Sequence, residues 1–323
     1  MNPAVLETRR RRILVFFIAA CFPLTVWSGG IKAAARPSIP SLMKKVGFDC
    51  GTAPLAQVHR CLGRISGYPG TVAILIPAEL TASAPIQWVV HLHGFEPEND
   101  FIGQILNLFE FEKSLRSFAA STSRQAVWIV PSSEHPCRTF EDQFSSHGDF
   151  EAFFYNVMEL LTRAGVTPAN PLEYGEPDLT LSAHSGAYRA VSNLLRSYCP
   201  SGGSGCDYGI VSRLALFDAV YCKPETVDKT SDESWRALSW FSRTPGLGFR
   251  SLYVAHDDES GTVMGNQALM RAFRPKLDYS FHSAQSPSDL PRGSELGTKA
   301  FVSVEGGDHY QVVHDYFASL LGR

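Results

Sequence analysis

Ser185 lies within Leu179-Thr180-Leu181-Ser182-Ala183-His184-Ser185-Gly186-Ala187-Tyr188. An apolar run enters this segment, a helix-compatible run leaves it, and alanines stand two positions either side of the serine. A turn from strand to helix exposes a hydroxyl, and small flanking residues avoid clashes with the neighbouring strand and helix. The helix start behind the serine favours developing negative charge. The plain alternative for Ser185 is the N-cap of an ordinary helix. A serine hydroxyl needs a base to become a nucleophile. His309 can be that base: it follows the apolar run Phe301-Val302-Ser303-Val304 and the turn Glu305-Gly306-Gly307-Asp308, just ahead of a last helical stretch. Alone it would read as a surface or capping histidine.

A base of this kind is held in the right tautomer by a carboxylate. Two places can supply one. Asp218 ends the run Leu214-Ala215-Leu216-Phe217 and is followed by Ala219-Val220. A carboxylate among apolar neighbours is costly unless something pairs with it. Asp257 and Asp258 follow the next apolar run, Ser251–Ala255. They read equally as solvated loop charges, and the local setting favours Asp218 without closing the choice. Upstream, Trp88-Val89-Val90-His91-Leu92-His93-Gly94-Phe95 is an apolar strand ending in His-Gly.

Serine turn, His-Gly loop and Gly-Gly-Asp-His segment follow one another in an order that resembles the α/β-hydrolase superfamily, serine esterases and lipases in particular, over about residues 65 to 323. The resemblance implies an oxyanion hole made by the backbone N–H of Gly186 and one at Gly94 or Phe95. It also implies an acyl-enzyme, and an acid after the later strand, as at Asp257, or one strand earlier, as at Asp218. No cofactor is called for. Two other classes remain open: a degenerate hydrolase used as a binding module, and a metallohydrolase built on His91 and His93, which fall at i and i+2 on one strand face. The second lacks a supporting ligand motif.

The elements needed to hold these residues follow from the pattern. Short apolar runs at 71–76, 88–92, 126–130, 179–181, 214–217, 251–254 and 300–304 read as strands. Amphipathic stretches at 102–118, 150–163, 188–198, 233–241, 264–273 and 310–321 read as helices. Continuous apolar strands are covered on both faces, and strand–helix alternation predicts a doubly wound, mostly parallel α/β sheet with short insertions. The inserts fall at 223–248, with Trp235, Trp240 and Phe241, and at 276–299.

The chain has 323 residues, 44% hydrophobic and 19% charged, with a formal charge of −3, so a core can form and no nucleic-acid surface is expected. Arg9–Arg12, an apolar run to Trp27 and Ala33-Ala34-Ala35 read as a signal peptide over 1–35. An extension over 36–64 and one domain over 65–323 would follow. The protein would be secreted or in the cell envelope, with no stable membrane span after cleavage; an uncleaved anchor and lipidation at Cys21 are the alternatives. Six cysteines follow the leader. Cys50 with Cys61 and Cys199 with Cys206 would close short loops, leaving Cys137 with Cys222. The expected substrate is a small or polymeric ester or amide. Arg138 and Arg189 could meet an anionic group on it, although a solvated helix or loop arginine is the plainer reading of both.

Overall fold

The computed structural model describes residues 37–51, 58–78, 80, 86–94, 125–133, 140–167, 177–199, 206–220, 233–255, 261–273, 278–291, 293–309 and 311–321. The leader, the expected helix 102–118, and Phe95, Cys137, Arg138, Cys222, Asp257 and Asp258 lie outside them.

In chain order the elements are α1 (Ile39–Lys44), β1 (Asp49–Gly51), β2 (Val58–Arg64), β3 (Thr71–Pro77), β4 (Ile86–Leu92), β5 (Gln125–Pro131), α2 (His147–Ala164), β6 (Asp178–His184), α3 (Tyr188–Ser197), β7 (Val211–Phe217), α4 (Glu233–Arg243), β8 (Gly248–Ala255), α5 (Gly261–Phe273), β9 (Ser280–Ala284), β10 (Lys299–Glu305) and α6 (Gln311–Leu321). Among the described residues one ten-stranded sheet runs β1-β2-β3-β5-β4-β6-β7-β8-β10-β9. The strands from β5 to β9 in that order are parallel, while β1, β2 and β3 pair antiparallel at one edge.

The sheet is covered on both faces, which explains its continuous apolar strands. In β3, Val72, Ile74 and Ile76 join one buried cluster with α2 and α3, while Ala73 and Leu75 join another with α6. Local signals set helix ends. Ser146 Oγ accepts from the Asp149 N–H at 3.3 Å, Asp149 Oδ2 accepts from the Ser146 N–H at 3.2 Å, and α2 stops at Gly165 with φ 77°.

Two stretches fold differently from their sequence pattern. Residues 49–64, inside the expected extension, supply β1 and β2 to the main sheet, where Cys50 lies opposite Cys61 and is disulfide-bonded to it. Much of the expected loop 276–299 is loop, but Ser280–Ala284 forms β9 on the sheet edge. That strand is short and poor in β-branched residues, so pairing with β10 rather than propensity makes it a strand. A second disulfide joins Cys199 and Cys206. In the other insert, α4 buries Phe241 fully and packs the partly buried Trp240 against the core. No helix of the described residues is long and apolar enough to cross a membrane.

Candidate active site

The carboxyl ends of β4, β6, β7 and β10 meet at one place, and each contributes one piece. From β6 the chain passes through a single 3-10 turn, Ser185–Ala187, into α3. Ser185 takes φ 52°, a left-handed conformation that costs a non-glycine residue about 1–3 kcal/mol and persists only when its surroundings demand it. Ala183 and Ala187 are fully buried on either side of it. That is the physical reason for small residues at both positions.

The end of β4 lies directly against this turn. A Cβ added at Gly94 would fall 2.5 Å from Ser185 Cβ and 3.1 Å from its Oγ, so only glycine fits. His93 orders this approach. Its Nδ1–H donates to the Gly94 carbonyl at 2.7 Å, and its Nε2 accepts from the Ser133 N–H at 3.1 Å. Burial drives its pKa down to about 3 despite that carbonyl, so the ring is neutral at ordinary pH. His91 Nδ1 sits 2.9 Å from Ser182 Oγ, and its ring packs edge-on to Phe217 and Phe317. His93 packs instead on Phe140. The two rings therefore part company, because strand alternation ends at Leu92 and His93 lies beyond it. Among the described residues no group of three or more His, Cys, Asp or Glu is placed to hold a metal ion.

Asp218 follows β7 with φ 39°, and Val220 follows with φ 68°. Its carboxylate is almost fully buried, and each oxygen is engaged. Oδ1 accepts from the Val254 N–H at 3.0 Å, and Oδ2 accepts from His309 Nδ1 across 91 residues of sequence. Burial alone would push this carboxyl up. Hydrogen bonds from His309, the Val254 amide and the Thr262 hydroxyl outweigh burial and hold it below the usual carboxylate value. With Nδ1–H given to Asp218, the remaining ring nitrogen of a neutral His309, Nε2, is the basic one.

Three residues given no role in the sequence reading, His184, Thr262 and Asn266, support this arrangement. His184 Nε2–H donates to the His309 carbonyl at 2.9 Å. Asn266, fully buried on α5, donates to the carbonyls of Ala219 and Thr262, each at 2.9 Å, and accepts from Ser251 Oγ at 2.6 Å. It thereby ties the strained 218–220 turn to β8 and α5. Thr262 and Asn266, four apart on a helix after a candidate strand, were the available signal, but nothing in the pattern says what such a pair would bind. Arg189 is exposed on α3.

No family model matches the chain, and no curated protein matches it either. Solved structures do align. A protein named FAE superposes with a TM-score of 0.50 over 88% of this chain and 92% of its own, at 11% identity. A feruloyl esterase module from Clostridium thermocellum, complexed with sinapinate, gives a TM-score of 0.49 over the same shares at 11% identity. An S-formylglutathione hydrolase from Agrobacterium tumefaciens gives 0.45 over 85% of this chain and 100% of its own, again at 11%. This chain spans 62% of the length of an uncharacterised protein from Capnocytophaga ochracea, with a TM-score of 0.44 over 81% of this chain and 11% identity. Likeness at such identity concerns the fold alone. The mostly parallel sheet flanked by helices and its superposition on FAE give one conclusion: this chain has the α/β-hydrolase fold.

Proposed function

We propose that this chain is an exported serine hydrolase that cleaves ester bonds through Ser185, His309 and Asp218. The observation that carries the reading is the pairing of His309 Nδ1 with a buried carboxylate beside a serine held at φ 52°. In this mechanism His309 Nε2 takes the proton of Ser185 Oγ as the oxygen attacks the ester carbonyl. Asp218 stabilises the resulting imidazolium and stays ionised. The carbonyl oxygen, now negative, accepts hydrogen bonds from the backbone N–H of Gly186 and from one at Gly94 or Phe95; each such donor is worth about 3 kcal/mol in the transition state. The leaving alkoxide takes the proton from His309, and water then repeats the sequence in reverse on the acyl-serine. The close approach of Gly94 to Ser185 supports this use of the β4 loop.

Export is part of the reading. The arginine-led apolar run and the two disulfides support a mature chain beginning near Arg36. The test is labelling with a fluorophosphonate, followed by turnover of p-nitrophenyl esters of several chain lengths beside matched p-nitroanilides. Ser185 should be the labelled residue, esters should outrun anilides, and Ser185→Ala should cost about 10⁴-fold or more in rate. Ser185→Ala within tenfold of the wild type would overturn the mechanism.

A further inference from the structure

His184 ends β6 immediately before Ser185 and is 8% exposed. Its Nε2 reaches the main-chain carbonyl of His309 at 2.9 Å, across 125 residues of sequence, and the two rings lie 4.6 Å apart between centroids at 37°. A carbonyl only accepts, so this nitrogen carries the proton and the tautomer of His184 is settled by its partner. We propose that His184 is a positioning residue for the base: its N–H pins the backbone of His309 while Asp218 pins the ring. The inference rests on the serine-hydrolase reading.

Two anchors matter because of where His309 sits. β10 ends at Glu305, α6 begins at Gln311, and Gly306 between them takes φ 70°. His309 is therefore carried on a turn outside the sheet ladder. A bond to the ring alone fixes Nδ1 but lets the ring swing about it as the turn shifts. Nε2, on the far side of the ring, moves most. A second bond at the main-chain carbonyl removes that freedom and ties the turn to the strand that carries the serine. Base and nucleophile are then positioned from the same few residues, 184 and 185. Catalysis is sensitive to such registration, since a misplacement near 1 Å costs about 10²-fold.

A buried histidine could also be there only to fill space, and three variants separate the two roles. His184→Phe keeps the ring and removes the donor. His184→Gln keeps an N–H near the position of Nε2. His184→Asn carries its amide closer to the position of Nδ1, short of the carbonyl. With p-nitrophenyl acetate, His184→Phe should lower kcat about 10- to 100-fold with KM within twofold. His184→Gln should recover to within about fivefold of the wild type, and His184→Asn should not. The His309 Nδ1 proton, held by Asp218, is expected to give a downfield proton resonance. It should stay sharp in the wild type and His184→Gln, and broaden or vanish in His184→Phe. Full activity in His184→Phe with an unchanged resonance overturns the inference. Should His184→Phe not fold, equal rates for the Gln and Asn variants overturn it instead. Fluorophosphonate labelling of the wild type separates the two failures. A labelled Ser185 with an indifferent His184 removes this inference alone, whereas an unlabelled, still active wild type removes the serine reading and this inference with it.

Discussion

Strands β6, β7 and β8 carry polar groups at both ends, and the two ends are built differently. At the amino ends, around a cavity of about 680 Å³, Asp178 accepts from Ser212 Oγ at 2.8 Å and pairs with Arg213. Arg250 donates to the Gly297 carbonyl at 3.0 Å and to the Leu320 carbonyl at 2.6 Å, closing the end of α6. Burial, with Arg213 nearby, lowers its guanidinium pKa to about 10, and it stays charged at neutral pH. The left-handed positions here, 209, 246 and 297, are all glycines. At the carboxyl ends of β6 and β7 the left-handed positions are Ser185, Asp218 and Val220. A turn that needs only its shape takes glycine, which adopts positive φ freely. A turn that must present a particular side chain accepts the strain. Charge at the amino ends is engaged in structural pairs, and under the proposed function the polar groups at the carboxyl ends are the ones that carry the chemistry.

This contrast can be broken in three ways. The largest expected effect is at Asp218. Asp218→Asn should lower kcat by about three to four orders of magnitude, because His309 loses the partner that sets its tautomer and stabilises its cation. Circular dichroism and thermal melting must show a folded protein; near-normal turnover in such a protein would return the acid to Asp257 or Asp258. Next comes Gly94→Ala. The added methyl would collide with Ser185, so rates of ester turnover and of fluorophosphonate labelling should fall together by about 10²- to 10³-fold. A variant that labels at the wild-type rate would remove the β4 loop from the site. The smallest effect tests strain itself through opposed substitutions. Gly246 is exposed, takes φ 81° and has open space around the place a Cβ would occupy. Gly246→Ala should therefore lose about 1 kcal/mol of stability through backbone strain and leave turnover intact. Ser185→Gly should be inactive yet gain up to about 1 kcal/mol, since relief of the left-handed penalty exceeds the added entropy of the unfolded chain. Thermal melts that move in the same direction for both would mean the serine turn is not strained.

Much of the molecule was legible because it depends on near neighbours. The strand into Ser185, the small residues flanking it and the helix after it are local, and so are the apolar runs that became the parallel strands. The short loops closed by Cys50–Cys61 and Cys199–Cys206 are local too. Residues 49–64 and 280–284 were less legible because their strands are completed by partners. Strand β1 is held against β2, and β9 against β10, by ladder bonds that no property of their own residues announces.

The amino-acid sequence by itself determined which residues could act as nucleophile and base, since side-chain chemistry and local chain direction are written in a few consecutive positions. Only the tertiary structure decided which groups meet. Asp218 stands at His309 Nδ1, 91 residues away in the chain, and the two can meet because β7 and β10 end on the same side of the sheet. His184 touches the carbonyl of a residue 125 positions away for the same reason. His91 and His93, neighbours on paper, pack against different aromatic rings because one strand ends between them. Contacts of this kind are set by sheet register and crossover length, which are properties of the whole packed chain and of no segment within it.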